Sequence, residues 1–187
     1  MRHRPIRLPI LSELASFDES GALRAVIETP KGSRNKYDYD PETNAFELNK
    51  VLPEGMSFPF DFGFVPSTLA DDGDPLDVLV LMDAPAMPGC VVAVRLLGAI
   101  EARQKEKDAD WARNDRLVAV AEKSRIYAGM NSLDDLGPHT IVDVKAFFAQ
   151  YNELLGKKVQ YLKDVGPKAA GQLIEAAQRK RRKKNAS

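Results

Sequence analysis

The sequence predicts an α+β fold in which a small antiparallel β-barrel is closed by C-terminal helices. Between residues 20 and 120 the apolar residues lie in short runs or alternate with polar ones, and prolines and glycines separate these runs. From Pro138 onwards the apolar residues recur at helical spacing instead. Strands and helices do not alternate regularly, which excludes a doubly wound α/β sheet.

Length and composition indicate one globular domain. The chain has 187 residues, of which 44% are hydrophobic and 29% are charged. We divide it into an N-terminal arm (1–19), a body (20–178) and a basic C-terminal tail (179–187). No apolar run approaches the roughly 20 residues that cross a bilayer. The single cysteine excludes an intrachain disulfide and indicates a reducing compartment, so we expect a cytoplasmic protein without a membrane partner.

The net charge of zero hides an asymmetry. Residues 179–184 are all Lys or Arg, and without them 21 basic side chains face 27 acidic ones in the rest of the chain. An acidic body is a poor nucleic-acid binder and a better cation binder. The positive charge of the tail fits a contact with RNA or an anionic lipid, although a solvated helix end has the same composition.

The first strands are predicted from alternation and from the turns that end them. Residues 23–29 form a strand that Pro30 ends. Residues 36–40 and 45–50 form a hairpin around a turn rich in Asp, Pro and Asn. The segment 58–66 contains four phenylalanines among prolines and one glycine, which predicts an irregular strand lining the core.

Three further strands and two helices complete the prediction. Residues 78–81, 91–100 and 116–120 are mostly apolar stretches of strand length. The apolar residues from 141 to 155 follow helical spacing, and a second helix starts at Pro167, a residue that suits the first position of a helix.

Four aspartates lie within residues 71–77, directly before an apolar strand. In an extended backbone Asp72 and Asp74 point the same way, and Pro75 restricts the conformation of the residue before it. Asp77 opens the strand, so we expect its side chain at the rim of the core. Rigidly held carboxylate oxygens at the mouth of a strand suit Mg²⁺ or Mn²⁺.

Two other interpretations of these aspartates compete with a metal site. A polar turn before a strand often contains Asp, Gly and Pro, and composition alone does not exclude it. A calcium loop of the EF-hand type does not fit, because Asp77 occupies the place of the obligatory glycine and Asp83 replaces the final glutamate.

Several other chemistries lack the residues that they need. The chain has no nucleophile-elbow, P-loop or dinucleotide-binding motif. It contains two histidines, too few for a histidine zinc site or a serine triad. Cys90 precedes a strand and suits a packed thiol better than a nucleophile. Carboxylate-held metal ions that activate water against a phosphorus centre are the remaining option.

Glu28, Lys36 and Asp38 lie near the ends of the first two predicted strands. Their spacing fits charge pairs across a wet face of the sheet as well as it fits a binding site. The residues alone leave both interpretations open.

The sequence Asp-Gly-Asp-Pro-Leu-Asp-Val (72–78) resembles the signature of the family I soluble inorganic pyrophosphatases. The likeness covers most of residues 20–160 and includes Glu28, the triplet 36–38, and the segments 62–66 and 147–151. It implies a five-stranded barrel resembling the oligonucleotide-binding fold, flanked by helices. It also implies hydrolysis of pyrophosphate to two phosphates with several Mg²⁺ or Mn²⁺ ions per subunit, in a homo-oligomer that is often a hexamer in bacteria.

The resemblance also assigns roles to individual residues. Asp74 would be the general base that accepts the proton of the attacking water. The residues expected to ligate metal ions or their waters are Asp72, Asp77, Glu28, Asp110 and Asp115, with Asp108 as the alternative to Asp110. The residues expected to bind phosphate oxygens are Lys36, Lys50, Arg116 and Tyr151.

The chain also departs from the pattern of the family. Phe58 and Phe62 stand where tyrosines are usual, and Asn152 stands where a phosphate-binding lysine is usual. Asn114 occupies the place of a metal-binding aspartate, which is why the neighbouring Asp115 is proposed instead. Conservative changes lie at three further positions, Asp38 for Glu, Lys50 for Arg and Arg116 for Lys.

These departures keep two alternative functions open. One is a non-catalytic barrel that binds polyphosphate, nucleotide or RNA, with the basic tail as the nucleic-acid contact. The other is a hydrolase of a different phosphoanhydride. The complete set of aspartates at 72, 74 and 77 favours the pyrophosphatase, since bare carboxylates do not help a polyanion binder.

Overall fold

The computed structural model describes residues 9–186, which contain nine β-strands, two α-helices and two short 3₁₀ helices. The first six strands are β1 (Leu23–Thr29), β2 (Asn35–Asp40), β3 (Ala45–Val51), β4 (Asp61–Val65), β5 (Leu76–Leu81) and β6 (Val91–Lys105). They are followed by β7 (Ala112–Arg113), β8 (Arg116–Ala121), α1 (Thr140–Leu154), β9 (Lys158–Val165) and α2 (Pro167–Asn185). The 3₁₀ helices are Leu11–Glu13 and Leu133–Asp135.

Five of the strands close into a barrel. Strand β1 pairs with β4, β4 with β5, β5 with β8 and β8 with β6, and β6 returns to pair with β1. The predicted α+β fold with a five-stranded barrel is confirmed. One pair, β5 with β8, is parallel, whereas the other pairs in the ring are antiparallel. Parallel neighbours need a long connection, and β6 and β7 lie within it.

The interior of the barrel is filled by one face of every strand in the ring. Ala25, Val65, Val78, Ala119 and Val94 belong to one buried cluster, and α2 adds three residues to it. Those three are Ala170, Ile174 and Ala177. The second helix therefore closes the barrel, as the sequence predicts.

The opposite face of β5, β6 and β8 is covered by α1. Leu79, Leu97 and Val118 pack with Val144 and Phe148 of the helix in a second buried cluster. Successive strand residues point to opposite faces. Asp77 therefore shares the helix-covered face with Leu79.

Gly63 allows β1 and β4 to approach closely. A Cβ atom at this position would lie 1.9 Å from the backbone oxygen of Val26, so no larger residue fits without moving a strand. Gly63 is paired with Ile27, next to Glu28. The contact thus fixes the spacing of the strands on which part of the candidate site is built.

Other parts of the structure differ from the prediction or extend it. Segment 58–66 contains a regular strand, β4, all of whose residues are buried. Strand β9 was not predicted. Helix α2 continues to Asn185 and so includes most of the predicted tail, while part of the predicted arm, residues 1–8, lies outside the described residues. The division into arm, body and tail stays a prediction.

No helix within residues 9–186 combines the length and the apolar character needed to span a bilayer.

Asp61 is a buried carboxyl group at the start of β4, with 1% of its surface exposed. Its Oδ1 accepts a hydrogen bond of 2.8 Å from the backbone N–H of Ala86, and its buried Oδ2 makes no hydrogen bond. Burial raises the pKa of Asp61 above its usual value of 3.8, because the charged form loses hydration.

This raised pKa predicts a pH-dependent stability. The folded state holds the Asp61 proton more tightly than the unfolded state, so the contribution of this carboxyl group to the free energy of unfolding is greatest at low pH and falls as the pH rises through the folded pKa. Urea unfolding of the wild type and of Asp61→Asn between pH 4 and pH 8 should show the difference shifting in favour of the variant as pH rises. A difference that is constant over this range would contradict the raised pKa.

Candidate active site

A polar cavity of about 310 Å³ lies between the barrel, the β2–β3 hairpin, the end of α1 and the start of β9. Its charged lining residues are Glu28, Lys36, Asp38, Lys50, Asp72, Asp74, Asp77, Arg116 and Lys157. Its other lining residues are Asn49, Phe58, Phe62, Gln104, Asn114, Phe148, Tyr151, Asn152 and Leu155. Eight of the ten residues predicted to bind metal, bind phosphate or act as the base are thus brought together.

The pairing of β5 with β8 sets the centre of the site. Asp77 and Arg116 are partners in the register of these two parallel strands. The Nε of Arg116 lies 3.9 Å from Oδ2 of Asp77. A carboxylate and a guanidinium thus lie near the starts of two adjacent strands and face the same cavity.

The loop before β5 is held by its own backbone. The N–H of Ala70 donates to the carbonyl of Asp74 at 2.7 Å, and the N–H of Asp74 donates to Oδ1 of Asp72 at 3.3 Å. Gly73 has a φ of +100°, which a residue with a side chain rarely adopts. The carboxylate of Asp74 has no part in these bonds and is exposed at the cavity.

The negative groups are only partly neutralised. Burial raises the pKa of Asp77 to about 6, although Arg116 and Lys36 act in the opposite direction. Burial also raises the pKa of Glu28 to about 7, against the charge of Lys36 and a hydrogen bond from the backbone of Tyr39. Since each carboxyl lacks compensation for its lost hydration, a cation in the cavity would stabilise both charged forms.

Lys36 is a buried cation on strand β2 of the hairpin, with 8% of its surface exposed. Its ammonium group bonds to Asp38, lies 3.9 Å from Oε2 of Glu28, and lies 5.1 Å from the centre of the Phe62 ring. Burial alone would lower the pKa of Lys36, but the two carboxylates outweigh it and raise that pKa. The group stays charged at neutral pH and can meet an anion.

Arg116 is the most deeply buried cation of the cavity, with 4% of its surface exposed. Its guanidinium lies 4.2 Å above the ring of Phe148, and one of its terminal nitrogens donates to the carbonyl of Asn114 at 3.4 Å. Its buried Nε has no hydrogen-bond partner. An unpaired buried donor is costly, and an anionic oxygen in the cavity would satisfy it.

Aromatic rings form one wall. Phe58, Phe62, Phe148 and Tyr151 line the cavity, and each ring contacts two of the others with ring centres 5.6 to 6.2 Å apart. Burial raises the pKa of Tyr151, so its phenol remains a proton donor at neutral pH.

The structure does not bring Asp115 or Asp110 to this cavity. Asp115 directly precedes Arg116, the first residue of β8, and successive residues of an extended chain point to opposite faces. The side chain of Asp115 therefore points away from the cavity that Arg116 lines. There its carboxylate accepts bonds from Arg113 at 2.7 Å and from the backbone N–H of Ala102 at 3.0 Å. Asp110 is exposed in the loop between β6 and β7. The metal-ligand predictions for these two aspartates therefore do not fit the geometry, and Asn114 lies on the site's face instead.

Two lining residues, Lys157 and Gln104, were missed by the sequence analysis. Lys157 follows the glycine at the end of α1, and Gln104 lies on the long strand β6. Nothing in their local sequence distinguishes them from exposed polar residues. Only the pairing of β6 with β9, in which Gln104 is opposite Val159, brings these two residues to the cavity.

The donor set fits a divalent ion such as Mg²⁺. Within residues 9–186 no three Asp, Glu, His or Cys side chains converge closely enough to form a complete metal site by themselves. Mg²⁺ does not need such a cage, because it is usually held by one or two carboxylates together with water and phosphate oxygens. Asp72 and Asp77 supply two hard oxygen donors at one cavity, and desolvation raises the pKa of both.

Comparisons with known proteins identify the family of the chain. The family model described as inorganic pyrophosphatase matches residues 25–182. The chain is 40% identical over 152 residues to an inorganic pyrophosphatase of a Nostoc species, covering 81% of this chain and 87% of the relative. It is 38% identical over 157 residues to one of a Synechocystis species, covering 83% of this chain and 90% of the relative. The crystal structure of the inorganic pyrophosphatase from Thermus thermophilus superposes with a TM-score of 0.84 at 33% identity, covering 93% of this chain and 99% of that one.

Proposed function

The chain belongs to the inorganic pyrophosphatase family, and we propose that it hydrolyses inorganic pyrophosphate to two phosphates in the cavity described above. The observation that supports this site most strongly is the pairing of Asp77 with Arg116 beside Asp72 and Asp74. It places hard anionic oxygens next to buried cationic donors. A diphosphate with divalent cations needs both.

The family implies a requirement for a divalent metal ion. Asp72 and Asp77 would hold it, and Glu28 would act on an outer ion or its waters. A bound Mg²⁺ or Mn²⁺ would polarise phosphoryl oxygens and increase the acidity of a neighbouring water. We propose several ions per subunit, with Mg²⁺ as the usual one.

Asp74 is the general base in this proposal. Its backbone is fixed on both sides by hydrogen bonds, while its carboxylate is exposed and unbonded. A base must be fixed in place and still be free to accept a proton. Asp74 meets both conditions and takes the proton of the water that attacks phosphorus.

The cations and the phenol bind the phosphate oxygens. Arg116 contributes a guanidinium whose Nε has no hydrogen-bond partner, and Lys36 contributes a buried ammonium group. Lys50 lies opposite Lys36 in the register of the hairpin. Tyr151 adds a neutral hydroxyl donor. Fixed donors of this kind stabilise the charge that collects on the leaving phosphate.

The charge of the lining disfavours the alternative of a polyanion binder without metals. Five carboxylates and four cationic side chains line the cavity. A diphosphate enters such a surface favourably only if metal ions supply additional positive charge.

The direct test is the release of phosphate from pyrophosphate by the purified chain. We expect turnover with Mg²⁺ or Mn²⁺ that EDTA abolishes and that added metal restores. Parallel assays with tripolyphosphate and ATP separate this activity from that of a hydrolase of other phosphoanhydrides. The absence of phosphate release with both metals between pH 6 and pH 9 would overturn the proposal.

The homo-oligomeric state, hexameric by resemblance, and the cytoplasmic location stay predictions.

A further inference from the structure

We propose that Lys157 is a substrate-binding cation of this cavity and replaces the lysine that Asn152 lacks. The inference rests on the proposed function, because it concerns the same phosphate oxygens. It concerns a residue that neither the spacing of the motifs nor the resemblance singled out.

Asn152 cannot bind the substrate with its own side chain. It is buried, with 2% of its surface exposed, and its amide nitrogen donates to the carbonyl of Phe148 at 2.8 Å within α1. This internal bond uses one of the two N–H donors of the amide, and burial leaves little of the side chain accessible to a phosphate. The side chain at position 152 thus stabilises the helix end.

The chain turns at the end of α1, and this turn brings Lys157 to the cavity beside Asn152. Gly156 has a φ of +67°, which ends the helix in the left-handed conformation. The backbone N–H of Lys157 then donates to the carbonyl of Asn152 at 2.9 Å. The chain folds back on itself, and Lys157 lines the cavity beside Asn152.

The pairing of β6 with β9 sets the direction of the lysine. The last pair of this register is Lys105 with Lys158, so Lys157 lies across from Glu106. Its Nζ is 2.8 Å from Oε1 of Glu106. Lys158 is exposed and, as the next residue along the strand, points to the other face.

The partner of Lys157 differs from the partners of the other cations. Lys36 and Arg116 are held by carboxylates that line the cavity, whereas Glu106 lies outside the lining with 66% of its side chain exposed. Exposed ion pairs of this kind contribute little to stability. Lys157 can therefore leave Glu106 for a phosphate oxygen at small cost, and Glu106 keeps the lysine at the cavity edge when no substrate is bound.

The test compares Lys157→Met with Lys158→Met, which removes the neighbouring cation from the opposite face. We expect Lys157→Met to raise the KM for pyrophosphate about tenfold and to weaken inhibition by inorganic phosphate by a similar factor, because one charged hydrogen bond is lost. The kcat should change less than threefold. Lys157→Arg should restore most of the affinity, and Lys158→Met should match the wild type.

The results separate this inference from the proposed function. If the wild type releases phosphate and Lys157→Met keeps its KM and phosphate inhibition within twofold, the inference is overturned. Equal losses in Lys157→Met and Lys158→Met would also overturn it, since they would indicate a general effect of surface charge. A raised KM with an unchanged melting temperature, restored by arginine, would support it. A wild type without activity would overturn the proposed function itself.

Discussion

Replacing Asp74 by asparagine should reduce kcat by about a thousandfold, within the range expected for the loss of a general base. The asparagine retains the backbone bonds to Ala70 and Asp72, and the side chain is exposed, so the fold should be unchanged. The variant should show a melting temperature within about 2 °C of the wild type. Steady-state phosphate release together with thermal unfolding measures both quantities.

Asp71→Asn is the matched control, because it removes a carboxylate three residues away in the same acidic stretch. Asp71 faces away from the cavity and accepts a bond of 2.8 Å from Lys180 of α2. We expect its kcat to stay within about twofold of the wild type. Equal losses in Asp71→Asn and Asp74→Asn would show that net negative charge, and not the position of one carboxylate, accounts for the activity.

Replacing Arg116 by methionine should lower kcat/KM by on the order of 100-fold, as the loss of a fixed donor to a developing negative charge does in other enzymes. The methionine keeps the apolar contact with Phe148 but removes the guanidinium and its unpaired Nε. Asp77 also loses the cation that lies 3.9 Å from its Oδ2. Arg116→Lys should retain part of the activity, since it keeps the charge.

Arg113→Gln is the control for Arg116, because it removes the same functional group from the opposite face. Arg113 binds Asp115 at 2.7 Å and Glu101 at 3.0 Å, outside the candidate site. Its loss removes a charged hydrogen bond from each of these poorly exposed carboxylates and leaves Asp115 with the backbone N–H of Ala102 and Glu101 with Lys163 at 3.8 Å, so it should cost roughly 2 kcal/mol of unfolding free energy. Its kcat/KM should stay within about threefold of the wild type. If Arg113→Gln lost as much activity as Arg116→Met, the assignment of Arg116 would be wrong.

Much of the fold could be predicted, because it depends on local patterns. The predicted strand at 23–29 coincides with β1, and the helix predicted from 141 to 155 differs from α1 by one residue at each end. The strand β9 escaped prediction because it mixes charged and apolar residues and none of its residues is fully buried. Such a strand forms only when it can pair with the edge of β6, and the local sequence does not show that this edge is available.

The site was predictable where its residues are adjacent in sequence. Asp72, Asp74 and Asp77 stand together before one strand, and their spacing alone indicates cation chemistry. Asp115 shows the opposite case. Shifting a strand by one residue exchanges its two faces, so the choice between Asn114 and Asp115 required the register of β8 with β5.

Lys157 could not be identified locally either. It is one of two consecutive lysines after a glycine, and only the left-handed turn at Gly156 and the β6–β9 register distinguish it from Lys158. Residues that reach a site through the end of one element and the pairing of another leave no periodic signal.

The position of a bound metal tests the central assignment most directly. Crystals of the full chain soaked with Mn²⁺ and phosphate should show anomalous density in contact with the carboxylates of Asp72 and Asp77, with phosphate oxygens near Arg116. Anomalous density located elsewhere under saturating Mn²⁺, with these two aspartates turned to solvent, would contradict the account.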